Sequence, residues 1–267
     1  KNYNIRYSYE DHLIFAANYS FIYNEQDIKK KRNFIYFRAN LESAGNVLTL
    51  SNVLLKNPRQ EPQDTTDEGS YTLFNTRYAQ YLKADFDFRY YQRIDQRNNL
   101  VYRFFTGVAY PYGNLKTLPF GRRYYSGGAN SIRAWQVRTL GPGSFQQDTT
   151  MQFPNQTADI KLEANVEYRF KMFWVIEGAF FVDIGNIWAI NQTDNREGAL
   201  FEFNDFYKEV AIGTGLGLRL DFSFFVFRFD FGLKLREPSA DLGKRWIPFE
   251  RAYTNDDWTF NIGIGYP

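Results

Sequence analysis

The sequence contains no cysteine and a single histidine, His12. Without Cys the chain cannot form disulfide bonds or a Cys-ligated zinc or iron–sulfur site, and one His argues against a His-rich metal site or a His-dependent catalytic triad. The formal net charge of +2 argues against a nucleic-acid-binding domain, because such domains need a concentrated basic surface. The densest apolar run, at residues 222–227, is far shorter than the ~18–20 residues that a membrane-spanning helix requires.

Aromatic residues, in contrast, are abundant. The 267 residues include 27 Phe and 20 Tyr, and aromatic residues make up 19% of the chain. The mean hydropathy is nevertheless -0.51, so the aromatic side chains must be interleaved with polar ones. Such interleaving is typical of strands that separate two environments.

Apolar and polar side chains alternate in a series of segments. The segments lie near residues 3–9, 13–23, 35–41, 82–90, 102–110, 162–168, 176–184, 212–222, 225–235 and 258–266, the first being the weakest. In the clearest segment, Phe227, Phe229 and Phe231 alternate with Arg228 and Asp230. Most segments have about the 9–11 residues with which a tilted strand crosses a bilayer.

A soluble β-sandwich also alternates, so strand length and the polar face decide between the two folds. Sandwich strands average about 5–6 residues, and these segments are roughly twice that length. The polar face carries charges of both signs, as expected for a wet barrel lumen, and aromatic residues such as Tyr90, Tyr110, Trp188 and Trp258 mark strand ends. The sequence therefore predicts an all-β fold, a transmembrane antiparallel β-barrel with about ten strands present.

Short and long connections alternate along the predicted strands. Short turns are predicted near residues 171–172 and 221–223, as expected for periplasmic turns opposite longer external loops. The segment from Ala44 to Asn57 contains Val47, Leu48 and Leu50 and is compatible with a short amphipathic helix or with a further strand.

The longest connection, residues 111–158, contains the sequence PFGRRYYSGGANSIRAWQVRTLGPGS. Loops of this length are usually functional or disordered, and this one has too many aromatic and cationic residues for a disordered tether. We therefore expect it to be packed.

This loop resembles the signature loop of the BamA/TamA superfamily of outer-membrane assembly and translocation proteins. The matching residues are Tyr124, Tyr125, Gly127, Gly128, Ser131 and the tetrad Ile132, Arg133, Ala134 and Trp135. The LeuGlyProGly that follows is similar to TamA-like proteins of Bacteroidota. The sequence departs from the family at Ala134, where many members have Gly, and a tip that needs a positive φ there would be affected.

A second resemblance lies two strands further on. Residues 178–188, with Phe181, Asp183 and Gly185, resemble the superfamily's Gly…Phe-x-Asp-x-Gly strand, and Glu167 stands where the preceding strand carries a lumenal acid. The resemblance implies that the loop folds into the lumen and that Arg133 meets Glu167 and Asp183. The alternation of residues independently places both carboxylates on the polar face.

Arg133, and with it Arg122 and Arg123 of the same loop, could also have simpler roles. An arginine in a barrel loop is most often solvated or in contact with lipopolysaccharide, and Arg122 and Arg123 are predicted to be local loop charges.

The resemblance also implies that residues 1–267 are the C-terminal part of a sixteen-stranded barrel, with about six earlier strands and the POTRA domains absent from this chain. The opening KNYNIRYSYE has no apolar core, which indicates a mature protein or an excerpt rather than a secretory signal. The last strand is predicted to form a seam that pairs with client strands. Its predicted residues are Trp258, Phe260, Ile262, Gly263, Ile264, Gly265 and Tyr266.

The predicted function is insertion or translocation of client proteins at the bacterial outer membrane, without enzymatic chemistry, cofactor or metal. Outer-membrane lipid or lipopolysaccharide, accessory lipoproteins and a periplasm-spanning partner are the other candidate partners. Three alternatives stay open: a two-partner-secretion transporter with the same loop motif, a passive porin or structural barrel, and an outer-membrane hydrolase. The hydrolase would depend on His12, and the sequence has no GxSxG motif.

Overall fold

The computed structural model describes residues 8–26, 32–60, 69–146, 156–192, 194–222 and 224–265. The strands are β1 Ala16–Asn24, β2 Phe34–Ala44, β3 Thr72–Leu73, β4 Thr76–Arg77, β5 Tyr81–Arg93, β6 Asn98–Pro111, β7 Ile160–Phe173, β8 Ile176–Trp188, β9 Ala211–Asp221, β10 Val226–Arg236 and β11 Trp258–Gly265. The helices that lie wholly within the described residues are α1 Asn46–Leu54 and α2 Ile247–Glu250. Three single turns of 3-10 helix lie in the connections.

Nine of these strands form one antiparallel sheet. Their order is β1-β2-β5-β6-β7-β8-β9-β10-β11, so strands that follow one another in this series are hydrogen-bonded neighbours, and β3 and β4 form a separate hairpin. This meander confirms the predicted all-β barrel fold. Among the described residues, no strand pairs with the outer edge of β1 or of β11.

The two faces of the sheet have opposite chemistry. Apolar side chains such as Phe104, Phe180 and Leu216 are about half exposed on the outer face, whereas Asp87 and Asp183 on the inner face are buried. This arrangement is the reverse of a soluble protein and is what a strand between lipid and a polar lumen requires. No helix in the described part of the chain is long and apolar enough to cross a bilayer.

Short and long connections separate to opposite ends of the sheet, as predicted. The short ones span residues 94–97, 174–175 and 222–225, and the long ones span 45–80, 112–159, 189–210 and 237–257. The turn predicted near residues 171–172 is wrong, since Lys171 and Met172 lie within β7. A register shift between Lys171 and Phe173 lengthens the strand, and Trp174, with φ of 51°, begins the turn.

The start of the chain also differs from the prediction. The strand expected from residue 13 begins at Ala16, and Leu13 pairs instead with Tyr78 in an isolated parallel bridge. Of the weak segment at residues 3–9, positions 3–7 lie outside the described residues. The ambiguous segment after Ala44 is the helix α1.

A charged capping box stabilises the turn that precedes β11. Asp257 accepts hydrogen bonds from the Thr254 backbone N–H at 2.7 Å and from both terminal nitrogens of Arg251 at 2.7 Å. These contacts lower the pKa of Asp257 from 3.8 to about 2, against the opposing effect of burial. The folded protein therefore prefers the ionised form of this carboxyl.

We expect this cap to make stability depend on pH. A depressed pKa contributes stability that is complete above the unfolded-state pKa of 3.8 and is lost as the pH falls toward 2. Asp257→Asn should remove about 1–2 kcal/mol at pH 7 and flatten the pH dependence between pH 4 and about 2. Urea unfolding midpoints measured across this range test the prediction, with Asp256→Asn at the neighbouring exposed carboxylate as the control. The prediction would be contradicted if the unfolding midpoints of Asp257→Asn and of the unaltered protein changed with pH in parallel.

Candidate functional site in the barrel lumen

The long loop between β6 and β7 is closed at its base by Tyr124. Its backbone forms an antiparallel bridge with Ala158, with N–O distances of 2.8 and 2.9 Å. The buried ring stands over Gly107, where a Cβ would lie 2.6 Å from the ring, and the Lys83 Nζ lies 4.2 Å from the ring centroid. Tyr125, the second predicted aromatic residue, is 41% exposed. Tyr124 is therefore the anchor of the pair.

The predicted glycine pair reverses the loop. Gly127 and Gly128 have φ of 96° and 89°, a region that side chains disfavour. A Cβ at Gly127 would also lie 2.0 Å from the Gln136 carbonyl oxygen. The Gly128 N–H donates to the Trp135 carbonyl at 2.8 Å, so the tetrad folds back beside the turn and points into the barrel.

Arg133 is buried against Glu167 and Asp183, the two carboxylates that the resemblance implies, and against Phe181 of the same strand motif. Asp183 accepts the Arg133 Nε–H at 2.9 Å, the Nη2–H at 2.8 Å and the backbone N–H at 2.9 Å. Glu167 accepts the Nη1–H at 2.6 Å, and the Phe181 ring centroid lies 3.5 Å from the guanidinium carbon. Gly185 is the remaining predicted site residue on β8. It lets β7 and β8 approach closely, since a Cβ there would lie 2.3 Å from the Leu162 carbonyl oxygen.

The site is larger than the sequence predicts. Asp230 on β10 lies 3.6 Å from Arg133 Nη1, and Arg169 and Arg219 each contact Glu167 at 2.5 Å. We name this group the Arg133 cluster; its members are Arg133, Arg169, Arg219, Glu167, Asp183 and Asp230. Three cations balance three carboxylates, so the buried charges compensate one another. Alternation places the added residues on the lumen face, but no motif singles them out.

The loop tip rests on glycines of the barrel wall. Ile132, Ala134 and Trp135 are almost fully buried, and Ala134 lies outside the positive-φ region, so Ala in place of Gly causes no backbone strain. A Cβ at Gly213 would lie 2.6 Å from the Ala134 methyl, and a Cβ at Gly232 would lie 2.5 Å from the Arg133 carbonyl oxygen. Side chains at these two wall positions would exclude the tip.

The same tip is bonded to the last strand. Asn261 Nδ2 donates to the Arg133 carbonyl at 2.8 Å, and Thr259 Oγ1 donates to the Ala134 carbonyl at 3.0 Å. We call these two bonds the β11 latch. The sequence does not predict them, because Thr259 and Asn261 carry no charge and belong to no motif. The loop tip thus connects the carboxylates on the inner strands β7 and β8 with the edge strand β11.

The predicted seam residues lie on β11 as alternation requires. Trp258, Phe260, Ile262 and Ile264 are 43–69% exposed on the outer face. Gly263 faces Arg228 on the lumen side, a Cβ at Gly265 would meet open space, and Tyr266 lies outside the described residues.

The two arginines before the aromatic pair differ from each other. Arg122 is 41% exposed and lies 3.4 Å from Glu42. Arg123 is buried and lies 3.3 Å from Asp159 and 3.6 Å from Asp194, so it connects the loop base with the long connection between β8 and β9. Both serve local contacts rather than the Arg133 cluster.

In the described part of the chain, no group of three or more His, Cys, Asp or Glu side chains is placed to hold a metal ion. His12 lies apart from the Arg133 cluster, with its Nδ1 2.7 Å from the Glu10 carbonyl oxygen.

The loop tip, the buried arginine and the strand order can be compared with known proteins. Residues 2–266 match the Omp85 superfamily domain. The chain belongs to the Omp85 superfamily. This membership confirms the resemblance to the BamA/TamA proteins and makes the Omp85 chain an outer-membrane β-barrel protein, whereas the likeness to TamA-like proteins of Bacteroidota stays a prediction.

Solved structures similar to this Omp85 chain include the following two. BamA from Haemophilus ducreyi lacking POTRA domains 1-3 has 14% sequence identity and a TM-score of 0.48, with 94% of this chain and 53% of that chain covered. CdiB from Acinetobacter baumannii has 15% identity and a TM-score of 0.40, with 93% and 41% covered. The chain therefore spans about half the length of that BamA structure, 53%. No curated protein matches the chain.

Proposed function

We propose that this Omp85 chain is the C-terminal part of a barrel that inserts or translocates client outer-membrane proteins without covalent chemistry. The β11 latch is the observation that carries the proposal, because it links the Arg133 cluster to the strand that would receive a client. Lipid or lipopolysaccharide, accessory lipoproteins and a periplasm-spanning partner complete the proposed set of partners.

The receiving element in this proposal is the outer edge of β11. The strand has eight residues, and an edge of this kind presents backbone N–H and C=O groups that can pair with an added strand. Its outward apolar row would contact lipid together with the client strand.

The latch would hold β11 while leaving that edge free. Thr259 and Asn261 reach the loop with side chains, so the latch consumes none of the backbone groups that a client strand needs. Each such bond contributes about 0.5–1.5 kcal/mol net to stability, whereas loss of one partner from a buried ion pair destabilises a protein by ~3–5 kcal/mol. In the proposed mechanism the loop therefore stays fixed to β7 and β8, and β11 is the side that can move.

Removing the latch tests this proposal. The double variant Thr259→Val with Asn261→Leu keeps side chains of similar size but removes both donors. It should lower the folding rate of a client barrel about tenfold, since a loss of ~1.4 kcal/mol from the two bonds corresponds to a factor of ten. The measurement is client folding in vesicles that contain the reconstituted protein, and Thr259→Ser, which keeps the hydroxyl, is the matched control.

The outcomes separate the rival functions. An intact double variant that folds clients at the unaltered rate would overturn the proposed role of the latch. Export of one dedicated protein in place of general client folding would identify a two-partner-secretion transporter. Ion conductance without any effect on clients would identify a passive porin.

A further inference from the structure

Helix α1 turns its polar face toward the protein. Asn46, Thr49 and Asn52 share this face at three-residue spacing. Thr49 and Asn52 hydrogen-bond the buried Tyr78 hydroxyl at 3.0 and 3.3 Å, and Asn46 Oδ1 accepts from Gln80 Nε2 at 3.0 Å. These polar residues, which in most surface helices would face the solvent, thus make contacts inside the protein.

The outward face of α1 is apolar apart from the exposed Ser51. Val47, Leu50 and Leu54, spaced as one helical stripe, are 67%, 61% and 72% exposed, and Leu55 at the C-cap is 72% exposed. The helix sequence NVLTLSNVL has no charged residue. A stripe of this kind is unfavourable in water, because the hydrophobic effect disfavours each exposed apolar side chain.

The position of α1 indicates what covers this stripe. The helix starts two residues after β2 ends, and Asn46 Nδ2 donates to Ser43 Oγ at 2.8 Å, on the same outward row as the exposed Leu41. Asn46 Oδ1 also accepts the Tyr112 hydroxyl at 2.8 Å, and Tyr112 stacks on the outward Tyr110 at 6.2 Å.

Tyrosines at strand ends mark the interface between bilayer and water. The apolar stripe therefore continues the outer face of the barrel at this interface.

We propose that α1 is an interfacial helix whose apolar stripe, Val47, Leu50 and Leu54, lies in the boundary between lipid headgroups and acyl chains. Such helices insert about 5–10 Å into this boundary. The connection between β2 and β5 is in this way fastened to the membrane surface beside the barrel. Because α1 itself has no Lys or Arg, the apolar stripe is what would attach the helix to the membrane.

A fluorescent label at Leu54 tests the occupant. The chain has no cysteine, so Leu54→Cys provides one attachment point for an environment-sensitive fluorophore. The labelled protein is reconstituted in vesicles of phosphatidylethanolamine and phosphatidylglycerol and exposed to nitroxide-bearing lipid or to aqueous iodide. Phe104→Cys on the outer barrel face is the lipid control, and Leu242→Cys, 85% exposed in a long connection at the same end, is the water control.

The expected result is a blue-shifted emission at Leu54→Cys, quenched by nitroxide lipid as at Phe104→Cys and protected from iodide. Iodide quenching equal to that of Leu242→Cys would show a water-facing helix and overturn the proposal. Protection from both quenchers would show a covering protein segment and would overturn it as well. The test does not depend on client assembly, so it is independent of the proposed function.

Discussion

Arg133→Met is expected to release the lumen loop and to lower the free energy of unfolding by about 3–5 kcal/mol. The substitution preserves much of the side-chain volume but removes the only tetrad charge that faces Glu167, Asp183 and Asp230. Asp183 and Asp230 are almost completely excluded from solvent, and Asp183 would keep only neutral donors, the backbone N–H of residue 133 and Asn165 Nδ2. Urea unfolding of the detergent-solubilised barrel, followed by heat-modifiable gel migration, measures the change.

Arg122→Met is the matched control for this prediction. Arg122 belongs to the same loop but is 41% exposed, and surface ion pairs contribute about 0–1 kcal/mol. Equal destabilisation by the two variants would show that any loss of charge in the loop has the same effect, contrary to a specific role of Arg133.

Charge exchange tests the direct pair. Under the proposed function, Arg133→Glu should impair client assembly, and adding Asp183→Arg should restore it in part, because the two side chains meet at two atom pairs. Restoration is expected to be incomplete, since Asp183 also accepts the Arg133 backbone N–H, which an arginine cannot do. Complete failure of the second substitution to help would argue against the pair.

Strand faces could be predicted because alternation is a local property of the chain. Arg228 and Asp230 point inward for the same reason that Phe229 points outward, and this holds wherever the strand is placed. Asp183 and Glu167 could also be assigned to Arg133, because the loop resembles a family in which these partners meet.

The remaining contacts could not be predicted because they depend on which strands face the loop tip. Asp230 is 97 positions after Arg133 in the chain, and Asn261 is 128 positions after it. Their side chains are ordinary for a lumen face, and only the folded barrel brings them to the tip. Asparagine and threonine in particular have many local uses, so their presence alone indicates no partner.

Helix α1 was ambiguous for a related reason. Its run of Val and Leu suits a strand as well as a helix, and short apolar runs do not separate the two periods. Gly45, with φ of 73°, ends β2, and hydrogen bonds from Thr49 and Asn52 to Tyr78 make the helix the satisfied arrangement. Tyr78 lies outside the segment, so the deciding partner cannot be read from residues 44–57 alone.

Gly232→Val is expected to displace the loop tip while the barrel wall still forms. Valine is a better strand residue than glycine, so β10 itself should accept it. Its side chain would occupy the space of the tip, because the Cβ would lie 2.5 Å from the Arg133 carbonyl oxygen and 2.8 Å from the Ala134 Cα. Both contacts are with backbone atoms of the tip, so no side-chain rotation can relieve them and the tip itself has to move.

Limited trypsin digestion measures this displacement, since Arg133 is only 4% exposed in the docked loop. Mass spectrometry should detect cleavage after Arg133 in Gly232→Val but not in the unaltered protein, with far-UV circular dichroism showing that the β-content persists. Gly121→Val is the control, because a Cβ there meets no atom within 4 Å.

Protection of Arg133 in a folded Gly232→Val barrel would contradict the docking of the tip on this glycine. The variant differs from Arg133→Met because it keeps the arginine in the sequence and changes only the space that the tip occupies. If both variants lower client assembly equally, the position of the tip against β10 and β11 is what client assembly requires, and the ion pairs serve to maintain it.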